Sequence, residues 1–138
     1  MRAVQLTAYG NPVDGLEYAD IPEPDAPGPS QVLIGVEFSP INPNDLLVAQ
    51  GIYPLRPTLP TVIGNEGVGR VLAVGRAVKN VKVGDRILAP LSGLTWRERM
   101  VVSADAFSPC PLTRTHSNWR CWPSILRRRR CCSANLSI

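Results

Sequence analysis

Proline and glycine divide the first 107 residues into short segments, and this limits the possible fold more than any other feature. Eleven of the 14 prolines and all 11 glycines lie in that part of the chain. A proline inside a helix or a central strand removes a backbone hydrogen bond, so long regular elements cannot cross it. Between these breaks the residues alternate or form short apolar runs, as strands do. The sequence therefore predicts a mainly β fold.

The pattern places six short strands and one short helix. The strands are predicted at residues 2–8, 16–18, 31–38, 67–75, 87–89 and 95–102. The helix is predicted over 42–51, because Asn42 suits an N-cap, Pro43 suits the first helical position and Gly51 suits the end. Short strands, Gly/Pro turns and one short helix together indicate a partly open β-barrel.

Charge divides the chain into two unlike parts. Residues 1–107 contain nine Lys and Arg against eleven Asp and Glu, whereas residues 108–138 contain six Arg and no acid. All four cysteines and the only histidine also lie in the second part. No apolar run is long enough to span a membrane and no signal peptide is recognisable, so we expect a cytoplasmic protein.

The genetic code tests whether residues 108–138 are read in their original frame. Trp and Cys have few codons, so shifted codons across Trp119, Cys121 and Trp122 can be derived from the protein sequence. The shifted reading is compatible with LALPADADPQQLAMLAINPPTAALLLSE, which contains acidic residues and good helix formers. We therefore interpret residues 108–138 as a frameshifted, non-native or disordered tail that follows a shift of one base near the Phe107 codon.

A genuine basic tail is the alternative interpretation of the same residues. The run Arg127–Arg130 would then bind nucleic acid or an anionic surface, and the chain would be a non-enzymatic binding module. We favour a small-molecule substrate over nucleic acid as the partner of this protein. A zinc site is not indicated in the tail, because it has no C-x2-C pair and its one histidine is isolated.

Three motifs resemble a known family. They are INPNDLLVAQGIYPLRPTLPTVIGNEGVGRVLAVG (residues 41–75), VKVGDRILAP and TWRERMVV. They resemble the N-terminal, GroES-like domain of zinc-independent medium-chain dehydrogenases/reductases of the 2-enoyl thioester reductase and quinone oxidoreductase type. The resemblance covers residues 1–107 and implies a GroES-like, partly open β-barrel. The family's nucleotide-binding Rossmann domain is expected to be absent from this chain.

The resemblance also implies site residues. Tyr53 matches the family's catalytic tyrosine, whose phenol polarises the substrate carbonyl, although spacing alone would suggest a Tyr that packs under a loop. Asn42 and Asp45 match positions that line the nicotinamide end of the cofactor. Asn42 could also cap the helix, and Asp45 could be a solvated acid in its first turn. Glu66 is a weaker candidate.

No metal is predicted. Zinc-dependent relatives have Cys near residues 42–45 and His in a G-H-E segment, where this chain has Gly64-Asn65-Glu66. An Asn is a poor zinc ligand. The glycine-rich GNEGVG segment is not a dinucleotide fingerprint either, because a G-x-G-x-x-G motif from Gly67 would need a glycine where Leu72 stands.

These inferences define an expected function. The chain is predicted to be the N-terminal part of an NADPH-dependent oxidoreductase that reduces 2-enoyl thioesters. The 138-residue chain alone is predicted to be inactive and unable to bind NADPH. A quinone or activated-alkene reductase is the alternative, and the intact enzyme is expected to be a homodimer. Of the remaining motif residues, Arg97 and Glu98 are expected to pair on the surface, and Trp96 to lie in the core or at a domain contact.

Overall fold

The structure is a computed structural model that describes residues 1–109. Residues 110–138, and with them most of the tail interpreted as frameshifted, lie outside the described residues. The elements in chain order are β1 (Arg2–Leu6), α1 (Pro12–Gly15), β2 (Leu16–Asp20), β3 (Gln31–Phe38), α2 (Pro43–Gln50), β4 (Thr61–Val62), β5 (Val68–Val74), β6 (Arg86–Leu88), β7 (Arg99–Ser103) and β8 (Ser108–Pro109). The predicted mainly β fold is confirmed.

The strands form two antiparallel sheets. The smaller sheet has the order β2-β1-β4, and the larger has the order β7-β3-β5-β6-β8. Both are open at their edges, as expected of a partly open barrel. Neither helix within residues 1–109 has the length and apolar character that crossing a bilayer requires.

The segment just before β7 joins the two sheets. We predicted a strand from residue 95, but β7 begins only at Arg99. The earlier residues bond elsewhere: the backbone N–H of Thr95 donates to Gly64 O at 3.1 Å and that of Trp96 to Ile63 O at 3.0 Å. Ala3 of β1 also forms a bridge with Arg97. The chain therefore pairs first beside the smaller sheet and then in the larger one.

Three short elements were not predicted. Helix α1 has only four residues, and its N-cap Asn11 accepts the Val13 N–H at 3.2 Å. β4 and β8 have two residues each. Elements this short are set by tertiary pairing and by single caps, because they contain no full period of apolar residues.

Two clusters form the core. The larger contains Val32, Ile34, Val71, Ile87 and Met100 among others, and ends at Phe107, which is 9% exposed. The smaller contains Leu6, Ala49 and Ile63, with Trp96 packed against it, and it anchors α2 to β1. β8 pairs with β6 beyond Phe107. The domain boundary at residue 107 stays a prediction.

Glu37 links three strands on the outer face of the larger sheet. Its carboxylate oxygens lie 2.9 Å from Arg70 Nε and 2.7 Å from Arg86 Nε. Partial burial by itself would raise the pKa of Glu37, but the hydrogen bonds and charges of the two guanidinium groups outweigh it and lower that pKa. The pairs are partly exposed, so each stabilises the sheet by less than about 1 kcal/mol.

Candidate functional site

Helix α2 forms as its local sequence predicts. Asn42 is the N-cap, Pro43 follows it, and Gly51 ends the helix in the left-handed region with φ 74°. Glycine adopts this conformation without the steric cost that a Cβ brings. The helix therefore has two fixed ends, with Asn42 at one and the loop that carries Tyr53 just beyond the other.

Asp45 joins the start of α2 to the segment Gly64–Glu66. Its side chain is buried, and the residue is 3% exposed. Oδ2 accepts the Asn42 N–H at 2.8 Å and Oδ1 accepts the Asn65 N–H at 2.9 Å. Burial raises the pKa of Asp45, and these two backbone hydrogen bonds oppose the rise. Both oxygens thus bind backbone, and the predicted contact between Asp45 and a cofactor stays a prediction.

The backbone of Glu66 is held by two hydroxyl groups. Its backbone carbonyl accepts hydrogen bonds from Ser39 Oγ at 2.8 Å and from Thr95 Oγ1 at 2.7 Å. Thr95 is itself 1% exposed. The Glu66 side chain faces Asn42, whose Nδ2 donates to Oε2 at 3.3 Å. Asn42, Asp45 and Glu66 therefore form one connected group, which we call the Asn42–Glu66 cluster.

Asn65 is not available as a metal ligand. Its Oδ1 accepts the Ser92 N–H at 3.0 Å and the Ser92 hydroxyl at 3.2 Å. Within residues 1–109 no group of three or more His, Cys, Asp or Glu could hold a metal ion. Of the two carboxylates nearby, Asp45 binds backbone N–H groups through both oxygens, so Glu66 alone does not make up the ligand set that zinc needs.

Tyr53 lies at the other end of α2. Its backbone N–H donates to Leu47 O at 3.2 Å, and its side chain is partly exposed. Tyr9 secures this loop at both ends: its ring packs against Gly51, and its hydroxyl donates to Pro57 O. Sequence reasoning missed Tyr9. Hydrogen bonds connect Asn42 with Asp45 and Glu66, whereas no hydrogen bond within residues 1–109 joins Tyr53 to the Asn42–Glu66 cluster.

The expected surface pair between Arg97 and Glu98 is wrong. Glu98 binds Arg2, with Arg2 Nη2 2.7 Å from Glu98 Oε1. Arg97 is partly buried, its Nη2 lies 3.4 Å from Gly93 O, and burial lowers its pKa. Adjacent residues of an extended chain point to opposite faces, which separates the two side chains. Trp96 is partly buried and packs against the smaller core cluster, and its alternative position at a domain contact stays a prediction.

We expect Asp45→Ala to lower the free energy of unfolding by about 2–4 kcal/mol, because two partly buried backbone N–H groups lose their acceptor. Since burial raises the pKa of Asp45, the native state binds its proton more tightly than the unfolded chain. The stability that Asp45 contributes is therefore complete below its ordinary pKa and falls as pH rises through the native value. Urea denaturation of both proteins between about pH 3 and 7 measures this.

Asp25→Ala is the matched control, because Asp25 is an exposed acid whose side chain forms no hydrogen bond or ion pair within residues 1–109. Its loss should stay within about 0.5 kcal/mol, as for an ordinary surface substitution. A cost of Asp45→Ala that increased as pH rose through the same window would contradict the buried-carboxylate interpretation.

Comparisons with known proteins agree with this architecture. Residues 28–120 match the family model of the alcohol dehydrogenase GroES-like domain. Mitochondrial enoyl-[acyl-carrier-protein] reductase of Caenorhabditis elegans is 44% identical over 98 residues, which cover 70% of this chain and 28% of the relative.

Two solved structures show the same fold. The mitochondrial 2-enoyl thioester reductase heterodimer of Candida tropicalis is 31% identical with a TM-score of 0.72, covering 80% of this chain and 33% of that one. Escherichia coli quinone oxidoreductase in complex with NADPH is 26% identical with a TM-score of 0.68, and the coverage is again 80% and 33%. The chain thus spans about a third or less of the proteins it matches. It belongs to the alcohol dehydrogenase GroES-like domain family, with relatives of the 2-enoyl thioester and quinone reductase type.

Proposed function

We propose that this chain is the N-terminal catalytic-domain part of an NADPH-dependent oxidoreductase that reduces 2-enoyl thioesters. The names of its relatives support the substrate class: one matching structure is a reductase in complex with NADP and crotonyl-CoA, 30% identical to this chain. The chain spans 33% of that protein. The activity is therefore proposed for the whole enzyme.

The observation that carries the proposal is the placement of Tyr53. It follows the Gly51 cap on a loop that Tyr9 secures, and its hydroxyl forms no hydrogen bond within residues 1–109. Reduction of a 2-enoyl thioester develops negative charge on the thioester oxygen. A positioned phenol can donate a hydrogen bond to that oxygen, and can pass a proton to Cα.

NADPH, when bound, supplies the hydride that is transferred to Cβ. Among the residues proposed to face its nicotinamide end, Asn42 has a partly exposed amide side chain that can form hydrogen bonds with it. Within residues 1–109 there is no fingerprint for the phosphate groups of the cofactor, because the glycine-rich segment continues into strand β5 and not into a helix. We therefore propose that the 138-residue chain by itself does not bind NADPH measurably.

A quinone or activated-alkene reductase is the second candidate. The structural matches to quinone oxidoreductases favour it, one of them at 34% identity, although the enoyl-[acyl-carrier-protein] reductase of Caenorhabditis elegans is more similar in sequence at 44% identity. Both candidates would use the same barrel and the same tyrosine. A substrate panel separates them.

The test uses two proteins. One is the 138-residue chain, and the other is the frame-corrected protein, made by restoring the reading frame near the Phe107 codon. We expect NADPH oxidation with crotonyl thioester only from the frame-corrected protein. NADPH consumption by the 138-residue chain would contradict the proposal, and a frame-corrected protein that reduced quinones but no enoyl thioester would favour the second candidate.

A further inference from the structure

Glu66 controls which way the Asn42 carboxamide faces. An ionised carboxylate only accepts hydrogen bonds, so the Asn42 atom that lies 3.3 Å from Glu66 Oε2 must be the nitrogen. The carboxamide oxygen of Asn42 then lies on the other side of the same planar group. Asn42 is partly exposed, and its side chain forms no hydrogen bond with the backbone at the start of α2, so this oxygen remains able to accept from a ligand.

Hydrogen bonds to the backbone fix the positions of Asn42 and Glu66 relative to each other. Asp45 binds the N–H of Asn42 through one oxygen and the N–H of Asn65, the neighbour of Glu66, through the other. Ser39 and Thr95 bind the Glu66 carbonyl, and their hydroxyl oxygens lie 2.7 Å from each other. The two side chains therefore face each other across a gap that is set before any ligand arrives, which is the preorganisation that a positioning residue needs.

We propose that Glu66 is a positioning residue: it fixes the Asn42 carboxamide so that the site offers an acceptor to a ligand that brings an N–H donor. The inference rests on the proposed function, in which Asn42 faces the amide-bearing end of the cofactor. Ligands with an N–H donor form a hydrogen bond with the Asn42 oxygen. Ligands of the same shape that offer only a carbonyl place their own oxygen against the Asn42 oxygen, and no hydrogen bond forms. An unpaired polar group of this kind is rejected strongly.

The test uses two neutral probes of the same ring, nicotinamide and 3-acetylpyridine. Only nicotinamide carries an N–H donor. Their binding to the frame-corrected protein is followed by NMR of a sample with ¹⁵N-labelled Asn. We expect nicotinamide to bind about tenfold more tightly than 3-acetylpyridine, as one satisfied hydrogen bond requires.

Glu66→Met frees the Asn42 carboxamide to rotate, so the ratio of the two dissociation constants should fall to about one. Glu66→Gln, which can still accept from Asn42, should keep part of the preference. Asn42→Ala should also abolish it, which excludes direct recognition by Glu66. Glu17→Met is the control, because Glu17 is exposed on β2, and it should keep the full ratio.

The Asn42 side-chain amide gives a second measurement that needs no ligand. In the unaltered chain its Nδ2 proton resonance should lie downfield, and Glu66→Met should move it towards the position of an unbonded amide. An unchanged resonance would overturn the proposal, and so would an unchanged probe ratio in Glu66→Met, a preference for 3-acetylpyridine, or no binding of either probe. Failure of the proposed function is read separately, from the crotonyl thioester assay of the frame-corrected protein.

Discussion

Gly64→Ala is expected to lower the free energy of unfolding by about 2–6 kcal/mol, the sum of a conformational and a steric cost. Gly64 has φ 108°, a conformation that residues with a side chain rarely adopt, and forcing one into it costs about 1–3 kcal/mol. A Cβ at Gly64 would also overlap the Trp96 indole and lie 2.7 Å from Thr95 Oγ1. Such overpacking adds about 1–3 kcal/mol. Chemical denaturation of the 138-residue chain measures the sum.

Gly84→Ala separates strain from steric overlap. Gly84 has φ 93°, but a Cβ there would meet no atom within 4 Å. Its alanine variant should therefore lose only the conformational part, about 1–2 kcal/mol. Equal losses at the two glycines would show that Trp96 and Thr95 yield to the new methyl group, and would contradict the tight packing beside the Asn42–Glu66 cluster.

The sequence predicts the parts of the site that depend on neighbouring residues. Asn42, Pro43 and Gly51 lie within or beside α2, and their cap chemistry requires nothing from the rest of the chain. The apolar run in β3 likewise marks a buried strand without reference to its partners. These elements were located correctly for that reason.

The sequence could not predict the contacts between distant segments. Asp45 binds the backbone of a residue 20 positions away, Asn42 meets a carboxylate 24 positions away, and Tyr9 binds a carbonyl 48 positions away. Nothing in the local pattern of Asp45 distinguishes a solvated first-turn acid from a buried one. Only the topology brings β1, α2 and the Gly64–Glu66 segment together, so the burial of Asp45 and the role of Tyr9 required the structure.

Tyr53→Phe in the frame-corrected protein is expected to lower kcat/KM for crotonyl thioester by about 10²–10³-fold. That is the usual effect of removing one donor to an oxygen that becomes charged in the transition state. The substitution removes only the hydroxyl, and the backbone of Tyr53 stays held by its bond to Leu47 O. The free energy of unfolding should therefore change by less than about 0.5 kcal/mol, as for a surface substitution.

Tyr18→Phe is the matched control for this experiment. Tyr18 is 69% exposed on β2, and losing its hydroxyl should leave kcat/KM unchanged. The loss in Tyr53→Phe should appear in kcat as much as in kcat/KM, because the bond to the oxygen strengthens as charge develops there. A variant that kept kcat and raised only KM would show that Tyr53 merely binds substrate, and one that kept both would place the oxygen-polarising group elsewhere in the enzyme.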